Sequence, residues 1–173
     1  MMIVSIVLLN LLWFTSVLGA ANGLIWPASI VLVILLGFNY LLVGMHRIDF
    51  KIISYSFIAG LIIDGILMNK GLVIYEHMAP GLGWMPPLWI LMLWVGFGAS
   101  VRLGMHWLLE NPKLGGAVML VGAPLSYISA SKLGATTVPN LWQAMTFIGC
   151  SWLLYFMSVV YLLNKDGSKN AMA

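Results

Sequence analysis

Six apolar runs, over residues 2–20, 24–44, 52–70, 87–109, 115–133 and 141–163, leave this chain few folds to choose from. Each is about 20 residues long, and at ~1.5 Å per residue an α-helix of that length spans the ~30 Å of bilayer hydrocarbon. Lipid offers no partner to backbone N–H and C=O groups, so each run is expected to be helical. Charge is too scarce for the alternative of a water-soluble domain. Only 8% of the residues are charged and 62% are hydrophobic, against roughly 25% charged in a soluble domain. The expectation is an all-α, polytopic membrane protein, a six-transmembrane-helix bundle occupying residues 1–163 as one domain, with a short polar cytoplasmic tail over 164–173.

The first run ends in "SVLGAANG", whose small residues suit a signal peptidase. No Lys or Arg precedes the run and Asn10 interrupts it, so a retained first helix is the reading. The connections are short and rich in Gly, Pro and Asn, apart from "NKGLVIYEHMAPGLGWMPP" between the third and fourth runs. Basic residues set the orientation. With the N-terminus in the cytoplasm, the inner links carry Arg47, Lys51, Lys113, Lys165 and Lys169, and the outer links carry Lys70 and Lys132. The positive-inside rule then places both termini in the cytoplasm. Trp26, Trp84, Trp89 and Trp142 are expected near the outer interface, Trp107 near the inner one, and Tyr75 and His77 as further interface anchors.

Several function classes are excluded by what is missing from the sequence. No Lys/Arg cluster has aromatic residues interleaved for bases, so nucleic acid is not an expected partner. One cysteine, Cys150, builds neither a disulfide nor a Cys-based zinc site, and His46, His77 and His106 are not spaced as a ligand set. No metal and no cofactor is expected. There is no phosphate loop and no nucleophile–base pair in sequence, so the chain leans away from being an enzyme and no catalytic residue is assigned.

The residues that stand out are polar ones at membrane depth. Asp64, in "GLIIDGIL", lies about 4–5 Å outward of the middle of its run, and Ser126 and Tyr127 about 3–5 Å outward in theirs. Asn10 is at the middle of the first run, and Cys150 and Ser151 lie just outward of the middle of the last. These define one polar layer, in which Asp64 is the only charged candidate. An ionisable group there costs ~2.5–3.5 kcal/mol on insertion scales and must face the bundle interior. Two roles are open to it. It is either a structural hydrogen-bond acceptor between helices, for instance to Asn10 or Ser126, or a binding or proton-handling group that takes a cation or pairs with Arg102. A second layer lies inward, with Asn39 about 7 Å and Arg102 about 6 Å from the middle. Arg102, His106 and Glu110 repeat at i, i+4 and i+8, one stripe on a continuous helix. Pro124 and Gly122 are expected to kink the fifth helix, either as a plain kink or as a cavity wall facing Asp64.

Taken in order, "LNLLWFTSVLGAANGLIWP" (9–27), "GLIIDGIL" (60–67), "PPLWILMLWVGFGASVRLGMHWLL" (86–109) and "GAPLSYISASKLGA" (122–135) resemble a bacterial family known as domain of unknown function 2878. That resemblance implies a small multi-pass protein of the bacterial inner membrane and transfers no catalytic residue. The Gly-x-x-x-Asp element also resembles substrate-binding subunits of energy-coupling-factor transporters and the rod-shape-determining membrane protein D. The candidate ligand-binding residues are therefore Asp64, Arg102, Asn10, Ser126, Tyr127, Asn39 and His106, and the candidate partners are membrane lipids and other membrane proteins. Three readings remain: an accessory or binding protein for a lipid or amphiphile, a small-solute binding or transport subunit, and a ligand-free scaffold.

Overall fold

A computed structural model describes residues 1–76 and 83–166. His77, and Lys169 with most of the expected tail, lie outside the described residues. Seven α-helices are present among them: α1 (Met2–Ala21), α2 (Trp26–Phe38), α3 (Arg47–Asn69), α4 (Leu88–Gly104), α5 (His106–Glu110), α6 (Pro112–Lys132) and α7 (Leu141–Lys165). A π-helical turn, Asn39–Gly44, extends α2. Two short strands, β1 (Ile74–Tyr75) and β2 (Thr136–Thr137), pair antiparallel, with Ile74 opposite Thr137 and Tyr75 opposite Thr136.

Helices α1, α3, α6 and α7 are each long and apolar enough to cross a membrane. The other two apolar helices are shorter than the sequence implies. The second run winds into the π turn at Asn39, whose side-chain Nδ2 donates to the Ala99 carbonyl at 3.1 Å. The fourth run is broken at Met105 (φ −116°, ψ 20°), so α4 stops at Gly104 and α5 starts afresh at His106. The expected continuous stripe of Arg102, His106 and Glu110 is corrected accordingly. His106 and Glu110 face each other on α5 at 3.3 Å, and Arg102 turns to another partner.

Residues at the helix ends follow ordinary rules. Pro27 and Pro112 sit in first turns, where a missing N–H costs nothing. Asn140 caps α7 by accepting from the Gln143 N–H at 3.2 Å. Asp49, in the first turn of α3, accepts from the His46 N–H at 2.7 Å and sits at the positive end of the helix dipole. At the end of α3, Gly71 (φ +65°), and at the end of α6, Gly134 (φ +84°), take left-handed conformations that let the chain turn into β1 and β2. The strand pair therefore joins the links after α3 and α6 at one end of the bundle.

Helix α4 is the central element. It packs on α1, α2 and α3, while α6 packs on α7 and α7 touches α3. Close approach depends on small residues. A side chain at Gly96 would collide with Leu12 of α1, and one at Gly98 with Ser56 of α3. The bundle is apolar outside, where Ile3, Val33, Leu154 and Trp142 are exposed, and its core is apolar too, with a few polar side chains, Ser56, Asp64, Asp49, Asn39 and Ser100, enclosed in it. An apolar outer surface and polar groups turned inward are what a lipid solvent favours. Trp26, Trp84, Trp107 and Trp142 are exposed as belt residues would be, but Trp89 and Tyr75 are corrected: both are core side chains. Pro124 does not end its helix, which continues to Lys132.

Candidate functional site

The site grows from two glycine-flanked turns of α3. Gly60 carries no side chain, so the Trp94 indole of α4 lies directly against the helix; a Cβ there would run into the ring. One turn later Asp64 meets that indole, and Trp94 Nε1–H donates to Oδ2 at 2.5 Å. The other carboxyl oxygen, Oδ1, receives two phenols: Tyr75 from β1 and Tyr127 from α6, each at 2.5 Å. All four side chains are buried, and Asp64 is 0% exposed. One carboxyl thus ties α3, α4, α6 and the strand pair together, which no apolar side chain of that size could do.

The donor set constrains the chemistry. An indole N–H only donates, so Oδ2 is an acceptor whatever the protonation of Asp64. The two phenols can donate or accept, and a carboxylate at Oδ1 orients both protons toward itself. A cation at Asp64 would face three N–H or O–H hydrogens and would have to displace them. Burial, and after it the neighbouring Asp64 carboxyl, pushes the Tyr75 phenol well above its ordinary value, which keeps it a proton donor.

An aromatic cluster backs this network. Trp152 of α7 stacks on Trp94 with ring centroids 4.4 Å apart and planes at 19°. Tyr155 meets Trp94 edge-on at 5.0 Å, and its hydroxyl pairs with Ser56 at 2.5 Å. Phe97 closes on Trp152 at 4.9 Å.

Beside the cluster runs a groove with a volume of about 560 Å³. α1 and α6 form its sides, α4 and Trp152 its floor, and Thr136 of β2 one end. α1 and α6 pack on different neighbours, and Phe14 and Leu125 on the two sides are half exposed, so the groove opens sideways between these helices. Tyr127 and Trp94 belong to both structures: they face the groove and hold Asp64 behind it.

Of the candidates from sequence, Asp64 and Tyr127 are brought into direct contact, and Asn10, Ser126 and Tyr127 line the groove. Asn10 is exposed and donates to the Ile6 carbonyl of its own helix at 2.8 Å, while Ser126 donates to Ala123 O at 2.8 Å; neither touches Asp64. Arg102 does not pair with Asp64. Its Nε and Nη2 grip the two Asp49 oxygens at 2.7 and 2.8 Å, and Nη2 also reaches Gly44 O at 3.4 Å. Asp49 and Asp64 are fifteen positions apart on α3, about 22 Å along the helix, which separates the two sites. Asn39 is buried near that inner site, with Oδ1 unpartnered. Among the described residues, no three His, Cys, Asp or Glu side chains converge on a metal position.

Sequence reasoning missed Trp94, Tyr75 and Asp49. For Trp94 a signal existed: an indole deep within an apolar run, away from either interface, needs a partner for its N–H. Nothing local marked Tyr75, because its link folds back only through pairing with β2.

A family model described as Protein of unknown function (DUF2878) matches residues 2–158. No curated protein and no solved structure matches the chain.

Proposed function

The chain belongs to that DUF2878 family, and we propose that it is a multi-pass protein of the bacterial inner membrane that binds one lipid or other amphiphile taken sideways from the bilayer. The observation that carries this reading is the groove. Its volume of about 560 Å³ falls in the ~300–1,000 Å³ range of ligand sites. Its walls are mainly aliphatic and aromatic, with a few polar residues, Asn10, Ser126, Tyr127, Ser129 and Thr136, among them. A side opening between two apolar helices admits a molecule already dissolved in lipid. The donors crowding Asp64 speak against a cation or proton site in a solute carrier, and a ligand-free scaffold gives the groove no purpose.

In this reading the chain crosses the bilayer six times, with α2 and α4 as the two short crossings. Helix α4 at ~1.5 Å per residue covers about 25 Å, which suits a tilted neighbour-packed helix or locally thinned bilayer. The bias of Lys and Arg toward the links after α2 and α5 supports cytoplasmic termini. The protein has the character of an accessory or carrier for the amphiphile, working with other membrane proteins.

Gly122 offers a clean test. It lines the groove, and a Cβ there would meet nothing within 4 Å. Gly122→Trp should fill the groove without disturbing packing. Native mass spectrometry from nanodiscs is expected to show one retained lipid mass on the wild type and none on a folded Gly122→Trp variant. Equal spectra would overturn the reading.

A further inference from the structure

An amide stands open on the groove wall in the middle of an apolar helix. Asn10 lines the groove, is exposed, and lies one position from the centre of the first apolar run. One Nδ2 hydrogen is held by the Ile6 carbonyl at 2.8 Å. The second Nδ2 hydrogen and Oδ1 have no partner among the described residues. Hydrocarbon supplies none, and leaving a polar group unmade there is costly. An ordinary phospholipid keeps its polar groups at the interface, about 15 Å from the bilayer middle. The partner must therefore be a molecule that brings a polar group to mid-depth.

The facing wall is polar at nearly the same level. Ser126 and Ser129 of α6 line the groove, and their protons go to Ala123 O at 2.8 Å and Leu125 O at 2.9 Å, which leaves each hydroxyl only acceptor capacity. At ~1.5 Å per residue Asn10 lies about 1.5 Å inward of the centre of its run and Ser126 about 3 Å outward of the centre of its own, a difference of less than one helical turn. Above and below, the walls are apolar. Along α6 the groove extends from Val118 to Ala130, about 9 Å to each side of Pro124. Among the described residues around it none is acidic, basic or histidine, so a charged group drawn in would find no counter-charge.

We propose that the groove selects a lipid chain carrying an uncharged hydroxyl part-way along its length, and that Asn10 is the residue that recognises it. This rests on the amphiphile reading above and specifies where the ligand's polar group lies. The hydroxyl donates to Asn10 Oδ1 or a serine oxygen and accepts from the remaining Nδ2 hydrogen, while the chain on either side lies against aliphatic and aromatic walls. A plain chain leaves the amide unmade, and a keto group satisfies only its N–H.

The test compares two photoactivatable 18-carbon chains, one with a hydroxyl at its middle carbon and one without. Both are uncharged methyl esters with the photoreactive group at the same position, applied to the purified full chain in nanodiscs of neutral lipid. The hydroxylated chain is expected to label groove residues of α1 and α6 about tenfold more efficiently than the plain one. Asn10→Leu, an apolar replacement of similar size at an exposed position, should erase that preference so that the two probes label alike; a merely structural effect would lower both and leave their ratio. Equal labelling of the wild type by both probes, or a preference that survives Asn10→Leu, would overturn the assignment and leave the groove as an amphiphile site. A wild-type dimer in mild detergent that Asn10→Leu converts to a monomer would overturn it too, since the amide's partner would then be a second copy of the chain. Labelling of the groove by neither probe would overturn the amphiphile reading as well.

Discussion

Gly60 and Gly65 flank Asp64 in one stretch of α3, and the structure predicts opposite outcomes when each is replaced by alanine. At Gly65 an added Cβ would rest 4.0 Å from Pro86 Cδ, an ordinary contact. Removing a helix-interior glycine is worth about 0.8–1 kcal/mol in propensity, so Gly65→Ala should stabilise by roughly that or somewhat less. At Gly60 the same gain is opposed by a collision with the Trp94 ring, on atoms Cγ, Cδ1 and Nε1. That ring cannot retreat freely, since Trp152 stacks behind it and its N–H is held by Asp64. Overpacking of this kind costs ~1–3 kcal/mol, and losing the indole–carboxyl bond adds about 1–2 kcal/mol. The cost exceeds the propensity gain, and Gly60→Ala should destabilise by about 1–4 kcal/mol. Equilibrium unfolding in mixed micelles of SDS and a mild detergent, with tryptophan emission as a second readout, separates the two variants. Emission should shift for Gly60→Ala and stay put for Gly65→Ala. If both variants move stability the same way, or Gly60→Ala stabilises with unchanged emission, the argument that Gly60 makes the seat for Trp94 is refuted.

Further outcomes follow from the same contacts. Asp64→Ala strands an indole and two phenols and should cost at least ~2 kcal/mol in the same unfolding assay, even with the modest average worth of hydrogen bonds between membrane helices. Asp64→Asn should cost less, because its carbonyl can keep Trp94 while the phenols rotate to accept from its NH2; a larger loss for Asn than for Ala would sink this account. Arg102→Leu leaves the buried Asp49 without its partner and should destabilise by about 3–5 kcal/mol, with Asp49→Asn in the same chain recovering part of the loss; equal stability of wild type and single variant would contradict the pairing. For orientation, in a Cys150→Ser background, a membrane-impermeant maleimide applied to intact cells should react with Lys132→Cys and reach Lys113→Cys only after permeabilisation, and the reverse pattern would invert the proposed topology.

The broad class of this protein was legible in the chain because hydropathy and length are local. Long runs with almost no charge have only helices in lipid open to them, and α1, α3, α6 and α7 are such helices. Local reasoning also identified Asp64 as a group needing interior partners, since the cost of a carboxyl in hydrocarbon does not depend on what the rest of the chain does. What satisfies it was a tertiary matter. The rotation and register of each helix are decided by side chains on remote segments, so Trp94 in the middle of α4 falls on Asp64 and Arg102 near its C-terminal end falls on Asp49. The turn at Asn39 goes with a contact between separate helices, its side chain donating to the Ala99 carbonyl. Two glycines that look alike in "GLIIDGIL" differ only because an indole from another helix lies on one of them. The groove, too, exists because α1 and α6 found other neighbours, and a void between helices leaves no mark in the sequence of either.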